Sequence, residues 1–191
     1  LRAIPNLTLI RPGDANETAV AWRVALETRD RPVLLALTRQ GVPTLDRSRY
    51  APAEGLRKGA YVLSDAAGAK PELILIASGS ELGLIVAAAE RLQKDGVAVR
   101  CVSMPSWDLF DALPQADRDA VLSPGVRARL AVEAGATQGW HRYVGDGGDV
   151  LGVDRFGASA PGPTVLREYG FTVDNVCARA KALLKRGGGS S

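Results

Sequence analysis

Apolar residues along the chain fall into two recurring patterns: short unbroken runs and helically spaced stripes. The clearest run, Leu73–Ala77, contains no polar residue and predicts a β-strand, which a Ser-Gly-Ser turn follows. Beyond the turn, apolar residues at i, i+3, i+4, i+7 and i+10 predict one face of a helix that begins near Glu81: Leu82, Ile85, Val86, Ala89 and Leu92. Gly96 is the residue expected to end this helix.

The alternation of strand and helix continues to the end of the chain. Further strands are predicted over residues 97–103, 128–133 and 150–153, and residues 135–143 are predicted to be helical. A last helix follows Thr172 as its N-cap. Its apolar face is expected to carry Val173, Val176, Cys177, Ala180, Leu183 and Leu184. Such alternation predicts an α/β fold, a mostly parallel sheet with helices on both faces.

The first forty residues predict a separate β-α-β segment. Residues 7–10 and 33–38 are its strands, and the second, which carries no charge, is expected to be buried on both faces. Asp14 and Glu17 are spaced as a capping box, with Asp14 as the N-cap of a helix that runs to about residue 28. The apolar side of this helix is expected to carry Trp22, Ala25 and Leu26.

The segment between the two regions has no regular pattern of apolar residues. Residues 41–58 follow neither period and contain two prolines and two glycines, which indicates a connecting segment. Residues 59–64 are a possible edge strand, and the Gly/Ser stretch at residues 187–191 indicates a flexible tail.

Composition and charge narrow the class of protein. The chain is 46% hydrophobic and 24% charged, which is typical of a globular protein, and its net charge is 24 − 21 = +3. No block of five like charges occurs and aromatics are only 5%, which argues against a nucleic-acid surface. No apolar run approaches the ~20 residues of a membrane helix. Cys101 and Cys177 form no spaced motif and, without a secretion signal, indicate reduced thiols in a cytoplasmic protein.

Arg39 is the strongest candidate for a ligand-binding residue. It follows the apolar run 33–38, and open α/β sheets bind ligands at the carboxyl ends of their strands. Its guanidinium suits forked recognition of phosphate or carboxylate, and Gln40 beside it adds a polar contact. The alternative at this point is an arginine that pairs with an acidic neighbour or lies in solvent.

Other polar residues indicate structural roles. Residues 78–81 are interpreted as a helix cap, because Glu81 in the first turn would repel a bound anion. His141 is the only histidine and is interpreted as structural or exposed, because it cannot form a histidine metal site and no nucleophile elbow accompanies it. Four aspartates match no calcium loop and are expected to form a solvated face: Asp108, Asp111, Asp117 and Asp119.

Several short motifs, spread over nearly the whole chain, are specific in combination. They are Pro5-Asn6, Arg11-Pro12-Gly13-Asp14-Ala15-Asn16-Glu17, Leu37-Thr38-Arg39-Gln40, Gly59-Ala60-Tyr61-Val62-Leu63, Ile76-Ala77-Ser78-Gly79-Ser80-Glu81, Val102-Ser103-Met104-Pro105-Ser106-Trp107, Glu133-Ala134-Gly135, Gly139-Trp140, the loop 152–161 and Phe171-Thr172. In this order they resemble the C-terminal third of transketolase, a thiamine-diphosphate enzyme.

The resemblance implies a domain layout. Residues 1–48 resemble the end of the pyrimidine-binding domain, and residues 49–58 would be a linker. Residues 59–186 resemble the transketolase C-terminal domain, and residues 187–191 would be the tail. The family is a homodimer that holds thiamine diphosphate and a divalent metal, Mg or Ca, at the subunit interface.

The resemblance also implies a reaction, the transfer of a two-carbon ketol unit between sugar phosphates in the pentose phosphate pathway. Arg39 matches the family's arginine that binds the substrate phosphate. The family holds the diphosphate and metal in an N-terminal domain, so this chain alone is expected to bind no cofactor, to contain no catalytic or metal-binding residue and to be inactive. The alternatives are a stand-alone α/β binding or regulatory module, or part of a deoxyxylulose-phosphate synthase or a pyruvate dehydrogenase β subunit. The loop 154–157 favours transketolase over the last two.

Overall fold

The computed structural model describes residues 1–66, 68 and 70–187, which form two sheets with surrounding helices. The strands are β1 Thr8–Ile10, β2 Val33–Leu35, β3 Tyr61–Ser64, β4 Leu73–Ala77, β5 Val99–Ser103, β6 Arg129–Val132 and β7 Asp149–Leu151. The α-helices are α1 Ala15–Glu27, α2 Glu81–Lys94, α3 Trp107–Asp111, α4 Gln115–Val121, α5 His141–Val144, α6 Gly162–Glu168 and α7 Val173–Gly187, and a 3₁₀ helix spans Ala53–Lys58. Of the predicted tail, residues 188–191 lie outside the described residues.

The larger sheet has the strand order β3-β5-β4-β6-β7. Strand β3 is antiparallel to β5 and lies at the edge, as predicted for residues 59–64, and the other pairings are parallel. The prediction of a mostly parallel α/β sheet is therefore confirmed. In the part of the chain that the structure describes, no helix is long and apolar enough to cross a membrane.

Strand β4 shows why its sequence is an unbroken apolar run. Leu73 and Leu75 pack against the side that α2 and α7 cover, and Ile74 and Ile76 pack on the opposite side against α3 and α5. Successive side chains of a strand point to opposite faces, so a strand covered on both faces needs apolar residues throughout. The predicted stripe of α2 is buried against the first face, and Gly96 follows the helix with a φ of +86°.

The smaller sheet contains β1 and β2, which are parallel and joined by α1. Asp14 caps α1 by accepting a hydrogen bond from the N–H of Glu17 at 2.8 Å, as predicted. The carboxylate of Glu17 accepts from the N–H of Gly13, not from that of Asp14, so the capping box is shifted by one residue.

Two expectations about this smaller sheet are wrong. Trp22 and Leu26 are exposed, whereas the buried face of α1 packs against the 3₁₀ helix: Val20, Ala21 and Val24. Both stripes have helical spacing, so only the position of the 3₁₀ helix selects between them. Strand β2 is half-buried, not buried on both faces, because it belongs to a sheet of only two strands.

The last third of the chain also differs in part from the expectation. Within residues 135–143, only the end is helical, as the short α5, because Thr137 is held instead by Asp154, which accepts from its N–H at 2.8 Å. Helix α7 begins as predicted, with the hydroxyl of Thr172 accepting from the N–H of Asn175 at 3.2 Å.

Candidate functional site

The carboxyl ends of β1 and β2 lie side by side because the two strands are parallel. Arg11 follows β1 directly, and the N–H of Ala36 donates to the carbonyl of Ile10 at 2.9 Å, which extends the pairing beyond β2. Arg39 lies in the loop that follows and is exposed. The prediction that the strand reaches Arg39 is wrong, since β2 ends at Leu35, but the residue stays on this edge of the sheet.

A cleft of about 220 Å³ separates this edge from the larger sheet. Residues 36–40 line one side, and Gly79, Ser80 and Glu81 line the other, in the turn between β4 and α2. Arg11 also lines the cleft. The two strand ends and a turn from the second sheet therefore meet at one concave surface.

Arg11 is held firmly by the larger sheet. Its Nη1 donates to the carbonyl of Ser78 at 2.8 Å and forms an ion pair with Glu81 Oε2 at 2.5 Å. Its backbone N–H donates to the carbonyl of Pro105 at 2.8 Å, and its carbonyl accepts from the N–H of Gly79 at 3.0 Å. Side chain and backbone together connect the smaller sheet to the larger one.

Glu81 has a larger role than the predicted helix cap. It stands in the first turn of α2, as predicted, but Ser80 makes no capping hydrogen bond and its hydroxyl donates to Glu81 Oε1 at 2.6 Å. The other oxygen accepts from Arg11 and from the N–H of Ala134 at 3.0 Å. Glu81 is therefore a buried carboxylate that receives donors from three segments.

Glu133, directly after β6, is a second buried carboxylate at this junction. It accepts from the hydroxyl of Ser78 at 2.7 Å and from Trp140 Nε1 at 2.8 Å, and it forms an ion pair with Arg2. Burial alone would raise the pKa of Glu133, but the hydrogen bond and charge of Arg2, together with Arg11 and Ser78, bring it below its usual value.

Glu17 forms a separate buried site between the two sheets. It accepts from Tyr61 Oη at 2.7 Å, from Ser103 Oγ at 2.6 Å and from the N–H of Gly13 at 2.7 Å. Burial raises the pKa of Glu17 in spite of these donors. The carboxylate therefore ties α1 to β3 and β5 through neutral hydroxyl groups.

Arg39 contrasts with Arg11. Among the described residues, no carboxylate forms an ion pair with Arg39 and its guanidinium has no hydrogen-bond acceptor, whereas Arg11 pairs with Glu81 and Glu133. Of the two arginines on this edge, Arg39 is the one whose fork is available to an anion.

The remaining candidates behave largely as structural residues. His141 is exposed at the start of α5, and the two cysteines are buried and free, with burial raising the pKa of Cys101 to about 12. The expectation of a solvated aspartate face is wrong for two of the four residues. Asp111 pairs with Arg142 and accepts from the hydroxyl of Tyr143. Asp108 is half-buried and accepts from the N–H of Leu9 in β1 at 3.2 Å. The described residues include no group of three or more His, Cys, Asp or Glu that could hold a metal ion.

Sequence reasoning missed the charged residues that join the two sheets. Arg11 and Glu133 each follow a strand directly, and Glu81 opens a helix, so the strand-end rule that singled out Arg39 also applies to the first two. Their pairing across 70 and more positions of the chain had no local signal.

The fold and the cleft define an α/β protein with mostly parallel strands. In this class of protein, ligands bind at the carboxyl ends of the strands. A family model for the transketolase-like C-terminal domain matches residues 59–172, and one for the transketolase pyrimidine-binding domain matches residues 1–44. The chain belongs to the transketolase family.

Individual relatives agree with this assignment. The chain is 59% identical to a transketolase from Geobacillus stearothermophilus over 184 residues, which are 96% of the chain and 28% of that relative. It superimposes on a transketolase structure from Leishmania mexicana with a TM-score of 0.89 and 41% identity, covering 97% of the chain and 26% of the other. It superimposes on a Pichia stipitis transketolase in complex with sedoheptulose-7-phosphate with a TM-score of 0.88 and 36% identity. This match covers 98% of the chain and 26% of the Pichia chain.

The chain therefore spans about 28% of the length of the curated relatives it matches. These matches favour a transketolase over a stand-alone module and over the related thiamine-diphosphate enzymes.

Proposed function

We propose that the chain is part of a transketolase that transfers a two-carbon ketol unit between sugar phosphates, and that Arg39 holds the phosphate of the sugar. The observation that carries the proposal is the exposed Arg39 in the strand-end cleft, with no carboxylate partner among the described residues. Membership of the transketolase family supports it, as does the Pichia stipitis relative, which was solved with a sugar phosphate.

The chemistry of Arg39 suits this role. A guanidinium offers parallel N–H donors that match two phosphate oxygens, and such charge-assisted bonds are stronger than neutral ones. The phosphate lies at the end of the sugar remote from the reacting carbons, so Arg39 binds and orients the substrate without taking part in bond making.

The cofactor of the family is thiamine diphosphate with a divalent metal, which supplies the nucleophile and electron sink of the reaction when bound. The described residues do not offer the cluster of carboxylate or histidine ligands that such a metal needs. We therefore propose that other parts of the complete enzyme hold the diphosphate and metal.

The finer organisation is part of the same proposal. Residues 1–48 would form the end of the pyrimidine-binding domain, residues 49–58 the linker and residues 59–186 the C-terminal domain, in a cytoplasmic homodimer of the pentose phosphate pathway. The family-model matches over residues 1–44 and 59–172 support the two-domain layout.

Arg39→Ala in the complete enzyme that contains this chain tests the role of Arg39. A charge-assisted hydrogen bond is worth about 1.5–3 kcal/mol, so kcat/KM for a sugar phosphate should fall by about ten- to a hundredfold, mostly through KM. Arg39→Lys should recover part of the loss, because it keeps the charge but loses the fork. The same sugar without its phosphate should react at nearly the wild-type rate.

Arg29→Ala is the matched control. Arg29 is also exposed, has no carboxylate partner among the described residues and lies at the other end of β2. Arg29→Ala should leave kcat/KM unchanged for both the phosphorylated and the unphosphorylated sugar. Equal losses for the phosphorylated and unphosphorylated sugars in Arg39→Ala would show that Arg39 supports the shape of the site, and the phosphate role would be withdrawn.

A further inference from the structure

The Arg39 cleft has a negative group in its wall. Glu81 lines the cleft from the side of the larger sheet, and only 2% of its side chain is exposed. A cleft of about 220 Å³ keeps any bound anion well within the ~10 Å over which charges interact at 0.1 M salt. An unpaired carboxylate in this wall would therefore weaken phosphate binding at Arg39.

Arg11 removes this repulsion in the structure. Its guanidinium forms the 2.5 Å ion pair with Glu81 and lines the same cleft. Its other carboxylate contact, to Glu133 at 3.5 Å, is longer, and Glu133 already pairs with Arg2. The charges of Arg2 and Arg11 balance those of Glu133 and Glu81. Among these five residues, Arg39 therefore carries the one positive charge that is not balanced.

We propose that Arg11 is a positioning residue for phosphate-bearing substrates, which acts by neutralising Glu81 so that the cleft wall does not repel the phosphate held by Arg39. The inference rests on the proposed function and deepens it, since it gives the turn at the end of β4 a part in substrate selection. Gly79 and Ser80 bring Glu81 to the cleft, and Arg11 balances its charge by ion pairing.

The asymmetry between the two partners of the ion pair provides the test. In the complete enzyme, Arg11→Gln removes the cation that pairs with the Glu81 carboxylate and should raise KM for a sugar phosphate by about five- to thirtyfold. Glu81→Gln removes the negative charge and should not raise this KM. The double variant Arg11→Gln/Glu81→Gln should return KM to within about threefold of wild type, and Arg11→Lys should stay near wild type because it keeps the charge. The unphosphorylated sugar should change by less than about twofold in every variant.

Arg47→Gln is the matched control for loss of an ion pair of similar burial outside the cleft. Arg47 pairs with Asp14 at 2.8 Å, and the exposed fractions of the two side chains, 18% and 0%, resemble the 19% and 2% of Arg11 and Glu81. Arg47 does not line the cleft. Its variant should lower the melting temperature but leave the ratio of KM values for the two sugars unchanged.

Two results would overturn the inference. One is a KM for the sugar phosphate that is raised as much in Glu81→Gln as in Arg11→Gln, or that stays raised in the double variant. Either outcome would mean that the ion pair matters only as a structural link. The other is an equally selective KM increase in Arg47→Gln. Failure of the proposed function is distinct, because it would appear as an unselective effect of Arg39→Ala.

Discussion

Gly79 is the residue on which the contact between Arg11 and the turn after β4 most depends. It is buried and has a φ of +58°, a left-handed conformation that side chains other than glycine rarely adopt. A Cβ added there would lie 2.6 Å from Arg11 Cζ and 2.7 Å from Nε, far inside van der Waals contact. Gly79→Ala therefore combines backbone strain with displacement of a paired guanidinium.

The cost follows from these two parts. The left-handed conformation costs an alanine about 1–2 kcal/mol. Arg11 cannot move away freely, because its Nη1 is held by Glu81 and by the carbonyl of Ser78. Loss of a charge-assisted hydrogen bond costs about 1.5–3 kcal/mol, so the variant should lose about 2.5–5 kcal/mol of unfolding free energy.

Gly96→Ala is the matched control, measured by urea denaturation under the same conditions. Gly96 also has a positive φ, +86°, but it is exposed and an added Cβ meets no atom of the described residues within 4 Å. This variant should lose only the conformational part, about 1–2 kcal/mol. The difference between the two variants measures the contact with Arg11.

A double-mutant cycle with Arg11→Ala checks the origin of the difference. With the guanidinium removed, Gly79→Ala should cost about as much as Gly96→Ala, so the coupling free energy should exceed about 1 kcal/mol. If Gly79→Ala costs no more than Gly96→Ala in the wild-type background, Arg11 yields without loss and the reasoning is wrong.

Two further predictions concern acid sensitivity and the buried face of α1. The pKa of Glu133 in the folded protein lies below its usual 4.5, so the stabilisation that it contributes is present above pH 4.5 and is lost as the pH falls through the lower folded-state value. Glu133→Gln should therefore weaken the fall of the urea-unfolding midpoint on the acid side of a pH profile. An unchanged slope in the variant would contradict this. Val20→Ala should cost about 2 kcal/mol, because Val20 is 1% exposed, whereas Trp22→Ser, at 53% exposure, should cost less than about 0.5 kcal/mol in this chain. Equal losses for Val20→Ala and Trp22→Ser in thermal melts would mean that the exposed stripe of α1 is packed.

Local chemistry allowed much of the larger sheet to be predicted. Strand β4 was predicted to the residue because an uninterrupted apolar run between polar flanks has one stable place in an α/β fold. The α2 stripe, Gly96 and the Thr172 cap also depend on spacings within a single helix or turn. Such features are independent of residues far away in the chain.

The smaller sheet shows where local reasoning stops. Helix α1 carries two stripes with helical spacing, and the 3₁₀ helix at Ala53–Lys58 decides which of them is buried. The burial of β2 likewise depends on how many strands join it, which its own residues do not record.

The site divides in the same way. The sequence alone determined that arginines follow the strands of the smaller sheet, because residue order places them at the carboxyl ends. Only the tertiary structure decided which of these arginines forms ion pairs. Arg11 pairs with Glu81 and Glu133, which lie 70 and 122 positions away in the sequence. No carboxylate of the described residues pairs with Arg39. Ion pairing depends on distances in space between separate strand ends, and the packing of two sheets sets those distances.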